Sequence, residues 1–94
     1  MDLDFEWDEE KARINLIKHR VSFLTAATIF AGAILERIDD REDYGEIRFL
    51  ALGRVDTEVY RVAFTWRSDN LIGIISAQKA SRDEREIYHR QTLP

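Results

Sequence analysis

Ile72-Gly73-Ile74-Ile75-Ser76-Ala77-Gln78-Lys79-Ala80-Ser81-Arg82-Asp83-Glu84-Arg85-Glu86-Ile87-Tyr88 begins as an apolar run and ends as a charged one. The first half has strand character, and the second half reads as a helix. The change falls at Ser81. Ser81 and Glu84 match the S-x-x-E capping box, in which a hydroxyl accepts from a free helix N–H and the glutamate reaches back to the cap. Gln78, Lys79 and Arg82 lie around this junction, where free N–H groups and the helix dipole favour anions. Buried scaffold here passes directly into cationic chemistry, and the remaining elements are expected to support it.

Upstream, Leu3, Phe5 and Trp7 alternate with Asp4 and Glu6, the period of a half-buried strand. Asp8 is a good N-cap for a helix running to about His19, with Glu9 and Glu10 in its first turn. Ala12, Ile14, Leu16 and Ile17 form its expected apolar stripe, while Lys11, Asn15, Lys18 and His19 share another face. Ser22 caps a second helix, Phe23 to about Ala31, with Val21 and Ala26 as its hydrophobic staple and Gly32 just past its end. Strands are expected over Ile34–Ile38, Glu46–Val55, Val59–Arg67 and Leu71–Lys79, followed by a helix from Arg82 to about Arg90. The polar, glycine-containing stretch Asp39–Gly45 separates the first two of these strands. Asp56-Thr57 and Ser68-Asp69-Asn70 are short enough to close hairpins. The order β-α-α-β-β-β-β-α implies an α+β domain with an antiparallel sheet, two N-terminal helices on one face and a C-terminal helix. The other sheet face is expected to be wet and lined by arginines.

Ninety-four residues suit a single domain, 1–94. With 45% hydrophobic and 34% charged residues, the chain has the composition of a soluble globular protein. It contains no apolar run of bilayer length and no signal-peptide pattern, so a cytoplasmic location without membrane contact is expected. The absence of cysteine removes disulfide and thiolate chemistry. Two histidines alone argue against a zinc site, and no metal or other cofactor is expected. The net charge of −4 argues against whole-surface attraction to nucleic acid. That average hides a segregation: residues 1–10 carry six acids and no base, and residues 11–20 carry four bases and no acid. Eleven of the fourteen bases are arginine, the side chain suited to bidentate phosphate contact.

Three groups can carry chemistry. Arg48 and Arg54 share parity on one strand, as do Arg61 and Arg67 on the next, so a guanidinium patch could bind RNA phosphates. The plainer reading pairs them with Glu46, Asp56 or Glu58 as a solvated face. Lys79 and Arg82 flank the helix start, where the alternative is again solvated decoration. Lys11, Asn15, Lys18 and His19 form the third group, in which His19 is more simply a C-terminal cap. Tyr44, Tyr60 and Tyr88 are candidates for base stacking, with core or rim packing as the ordinary alternative. Trp7 and Trp66 are expected in the core.

Three blocks carry a further signal. They are Phe5-Glu6-Trp7-Asp8-Glu9-Glu10-Lys11 with Asn15 and Lys18-His19-x-Val21-Ser22-Phe23-x-x-Ala26; Asp40-Arg41-x-x-Tyr44-Gly45-Glu46-x-Arg48 with Leu52-Gly53; and Ile75-Ser76-Ala77-x-Lys79-Ala80-Ser81-Arg82-x-Glu84-Arg85. Together, in this order, they resemble the BrnT toxin family. The resemblance implies a RelE-like fold and the toxin of a type II toxin–antitoxin system. It further implies an endoribonuclease of the mRNA interferase type that arrests growth by metal-independent phosphodiester cleavage. The implied partner is a ribbon-helix-helix antitoxin, BrnA-like, with promoter DNA bound only through the complex. Arg48, Lys79, Arg82 and Glu84 are the implied catalytic set: Arg48 and Arg82 on the phosphate, Lys79 or Lys11 on an oxygen, and Glu84 as the base. Lys11, Arg61, Ser81 and Tyr88 are the expected RNA-binding residues. The chain departs from the family's pattern at Arg20, where glycine is usual, at Gln78, where arginine is usual, and at the acids Asp83 and Glu86. A second reading therefore stands beside the first: a catalytically weakened homologue acting through antitoxin binding.

Overall fold

Five strands form a single sheet in the order β1-β5-β4-β3-β2, as seen in a computed structural model that describes residues 2–92. The elements are β1 (Asp4–Glu6), α1 (Glu9–His19), α2 (Phe23–Thr28), a 3-10 turn (Ile29–Ala31), β2 (Ile34–Asp39), β3 (Arg48–Val55), β4 (Glu58–Ser68), β5 (Leu71–Lys79) and α3 (Arg82–Thr92). The expected antiparallel meander holds for β2 to β5. β1 departs from it by pairing parallel to β5, with Phe5 opposite Ile72. A parallel pair needs a long crossover, which the helices and the whole meander supply.

The local signals act as their chemistry requires. Asp8 Oδ1 accepts from Lys11 N at 3.0 Å, and Ser22 Oγ accepts from Thr25 N at 3.0 Å. Ser81 and Glu84 close their capping box at 3.2 and 2.8 Å. The second helix stops being α at Thr28 and tightens into the 3-10 turn, and Gly32 is extended rather than left-handed. The left-handed position falls instead at Arg20, with φ 60° and ψ 28°, where its N–H closes α1 on the Leu16 carbonyl at 2.9 Å. A side chain in that conformation costs roughly 1 kcal/mol relative to glycine.

The sheet is covered on both faces. On one face Val21, Phe23, Ala26 and Ile29 pack on Ala51, Val62, Phe64, Ile74 and Ala77. Phe64 is fully buried, its ring edge-on to Phe30 at 5.0 Å and stacked with Phe49 at 5.5 Å. Burying such a side chain contributes roughly 1.5–3 kcal/mol. Gly53 admits the close approach of the 3-10 turn, since a Cβ there would lie 2.5 Å from Ile29 Cβ. On the other face α3 lays Tyr88 against Val59 and Ala80, with Leu35 and Leu52 alongside. That face is therefore only partly wet, which corrects the expectation of an open arginine surface.

Two further expectations change. The α1 stripe points the wrong way: Ile14, Leu16 and Ile17 are exposed, and Asn15 is the buried residue. Asn15 Nδ2 donates to the carbonyls of Val21 (3.0 Å) and Ala77 (2.8 Å), and its Oδ1 accepts from Ala77 N at 3.1 Å. It ties α1, the turn after it and β5 together. Trp66, expected in the core, is 41% exposed near the end of β4.

Candidate functional site

β3 and β4 pair with Phe49 opposite Phe64, so Arg48 and Arg67 emerge near one another at the same end of the α3 face. They line a cleft of about 320 Å³ with Glu6, Lys11, Glu46 and Gly73. Lys11 reaches it from the first turn of α1, just past the short β1. Glu46 lies between the two guanidiniums: Arg48 Nε donates to its Oε2 at 3.1 Å and Arg67 Nη1 to its Oε1 at 3.2 Å. Arg67 Nε lies 3.5 Å from a Glu6 carboxylate oxygen. Gly73 opens the floor, because a Cβ there would sit 2.9 Å from Arg67 Nε. Three cations thus converge with three acids, Glu6, Asp8 and Glu46, and a phosphate entering the cleft would exchange one anion for another on the same guanidiniums.

Arg48 is held from a second side. Its guanidinium carbon lies 4.1 Å from the centre of the Tyr44 ring, within cation–π range. The Tyr44 hydroxyl donates to Asp39 Oδ2 at 3.2 Å, and Arg41 grips the same carboxylate through Nε at 2.7 Å and Nη2 at 2.8 Å. The Arg41 side chain holds the Asp39 carboxyl down at about 2, outweighing the opposing effect of burial.

The remaining expected residues form different groups. Arg61 Nη1 donates to Glu84 Oε2 at 3.2 Å beside the Ser81 cap. Burial pushes the Glu84 carboxyl up, but the Ser81 N–H and the Arg61 guanidinium outweigh it and hold it below its ordinary range. Arg61 lies four residues along β4 from Thr65, the neighbour of Arg48, a separation of roughly 13 Å. Lys79 pairs with Glu58 at 3.6 Å, both on the face of α1 and α2. Arg82 is 83% exposed and reaches Glu86 along its own helix at 3.6 Å. Tyr88 corrects a further expectation: it is buried, with its hydroxyl donating to the Ala33 carbonyl at 2.7 Å, so its ring is not presented for base stacking.

Of the expected set, then, the cleft brings together Arg48 and Lys11. Arg61, Ser81 and Glu84 form a separate cluster, and Lys79 and Arg82 stand apart from both. Arg67 and Glu46 join the cleft without having been singled out for catalysis. Their signal was present in part, in the shared parity of Arg61 with Arg67 and in the Gly45-Glu46-x-Arg48 block, but only the β3–β4 register brings them together.

A sequence profile described as "Ribonuclease toxin, BrnT, of type II toxin-antitoxin system" matches residues 7–84. The crystal structure of the Brucella abortus ribonuclease toxin BrnT superposes with a TM-score of 0.64 at 22% identity. The match covers 85% of this chain and 99% of that one, a likeness of fold. Among curated proteins, no sequence matches. The profile spans most of the chain, which therefore belongs to the BrnT family of ribonuclease toxins of type II toxin–antitoxin systems.

Proposed function

We propose that the chain is a growth-arresting endoribonuclease whose scissile phosphate binds in the Lys11–Arg48–Arg67 cleft. The observation that carries this is the double grip of Arg48 and Arg67 on the Glu46 carboxylate, an arrangement a phosphate can take over. The exchange frees Glu46 beside the phosphate as a base. Glu46 then removes the proton of the adjacent 2′-hydroxyl, whose oxygen attacks phosphorus. The bond to the 5′-oxygen breaks, leaving a 2′,3′-cyclic phosphate and a 5′-hydroxyl. The two guanidiniums stabilise the charge developing on the equatorial oxygens, and the Lys11 ammonium gives the leaving 5′-oxygen its proton. Glu84 is a poorer base than Glu46, since both of its oxygens serve the helix cap and Arg61, which a phosphate in the cleft does not displace. Arg61 would guide the strand beyond the cleft.

The protein's cations supply the charge that a metal would otherwise bring, so cleavage is expected to persist in EDTA. The expected products are cyclic phosphate and 5′-hydroxyl ends, read by mass spectrometry. Removing one transition-state donor typically costs about 10²–10³ in rate, and Arg48→Ala and Arg67→Ala are each expected to fall in that range. Full cleavage by both variants would remove the cleft from consideration.

The family implies an antitoxin, and we propose one of the ribbon-helix-helix, BrnA-like type, with promoter DNA bound through the complex and a cytoplasmic site of action. The exposed Ile14 and Ile17 of α1 and Leu24 of α2 offer apolar surface of the kind such a partner covers. A second reading, antitoxin binding with weak catalysis, is favoured by the pairing of Arg48 and Arg67 with carboxylates. Induction in cells separates the two: growth arrest that Arg48→Ala abolishes supports the nuclease, and antitoxin binding without arrest supports the weak homologue.

A further inference from the structure

We propose that Tyr44 and Asp39 are positioning residues for Arg48, which makes the β2–β3 connection part of the catalytic apparatus. The inference rests on the nuclease reading above. Asp39 is the last residue of β2 and lies opposite Arg48 in the β2–β3 register. Between them the chain makes an eight-residue excursion, Asp40–Ile47, and folds back on its own base. The return is fixed at Tyr44. Asp43 Oδ1 accepts from Gly45 N at 3.0 Å, Gly45 takes φ 74°, and the phenol hydroxyl drops onto the Asp39 carboxylate. That carboxylate is 2% exposed and already gripped by Arg41, so the anchor is rigid.

The Tyr44 ring then lies against the Arg48 guanidinium, whose Nε donates to Glu46. In the free protein the two restraints together hold a long side chain in place, and when a phosphate takes over the Glu46 contact the ring remains to fix the plane of the guanidinium. Without the ring, the only restraint left is the Glu46 contact that the phosphate displaces, so the guanidinium is free to rotate, and an arginine that clamps phosphate bidentately depends on its plane. Tyr44 touches neither RNA nor the reacting atoms in this arrangement. Its effect passes wholly through Arg48.

The test is a double-mutant cycle on the full chain. Cleavage is read on an RNA oligomer, and affinity on the same oligomer carrying 2′-O-methyl groups. Tyr44→Leu is expected to lower kcat/KM by about tenfold, the scale of a partly desolvated cation–π contact. In the Arg48→Ala background the same change is expected to do nothing further. Tyr44→Phe, which keeps the ring and loses the anchor, falls between wild type and Tyr44→Leu, as does Asp39→Asn. Circular dichroism of each variant confirms that it is folded, and Tyr44→Phe carries the cycle if Tyr44→Leu is not. Active wild-type enzyme with additive effects of Tyr44→Leu and Arg48→Ala overturns the positioning role alone. Wild-type protein that neither binds nor cleaves RNA overturns the nuclease reading, and the positioning role with it.

Discussion

Asn15 shows how one side chain can decide the seating of a helix. Its amide occupies two carbonyls and one N–H, drawn from the turn after α1 and from the middle of β5. Asn15→Leu fills the space and strands all three, so about 3 kcal/mol of stability is expected to be lost, measured by urea unfolding. The sequence placed Asn15 on a cationic face, because a single polar residue in a helix carries no mark of burial. Capping residues were legible at the same scale, since Asp8, Ser22 and Ser81 each act on an N–H group three residues away. Gly73 is expected to behave oppositely to Asn15. Gly73→Ala presses on the Arg67 side chain, which can swing aside, so unfolding barely changes while affinity for the 2′-O-methyl oligomer drops. Asp39 gives a pH signature. Its carboxyl sits at about 2 in the folded chain against about 3.9 when unfolded, so the folded state binds its proton less readily. The stabilisation is complete above the unfolded value and disappears as pH falls through about 2. Acid titrations of wild type and Asp39→Asn are therefore expected to separate above pH 4 and converge near pH 2.

The elements themselves were readable because strands and helices here are bounded by turns and caps that act locally. What escaped was the turn of one element against another. In β5, Ile72 and Ile74 face the same core as Ala77, although their numbers differ in parity. A bulge explains this: Ala63 pairs with Ser76 and Phe64 with Ile74, which leaves Ile75 as the extra residue. Plain alternation from Ile72 puts Lys79 with the arginines, and the bulge moves it to the face of α1 and α2. A slip of one residue thus separates Lys79 from Arg48. α1 escaped differently, through an apolar stripe that the structure leaves facing water. Ile17 is 64% exposed, so Ile17→Ser is expected to change stability by less than about 0.5 kcal/mol. Gly53→Ala, by contrast, drives a methyl into Ile29 and is expected to cost about 1–3 kcal/mol. Thermal unfolding of the two variants side by side checks both the exposed helix face and the tight seat of the 3-10 turn.

Across the whole molecule, the fold sorts charge that composition averages away. The chain carries a net charge of −4, yet the cleft gathers Lys11, Arg48 and Arg67 against Glu6, Asp8 and Glu46, a local balance of formal charge. Long-range attraction to RNA is therefore weak, and binding depends on short contacts made inside the cleft. Binding to single strands falls with salt by about 0.7 logarithmic units per phosphate neutralised. Because Glu46 already neutralises much of the two guanidiniums, the slope of log Kd against log salt is expected to be shallow, between about 1 and 2. Glu46→Gln removes that internal competitor while preserving the shape of the side chain. The variant is expected to bind the uncleavable oligomer more tightly and with a steeper salt slope, yet to cleave more slowly because the base is gone. Affinity and rate moving in opposite directions is an outcome that an acid serving only as a structural partner of the arginines does not produce. Tighter binding with undiminished cleavage would instead leave Glu46 as an occupant of the phosphate position and take from it the role of base.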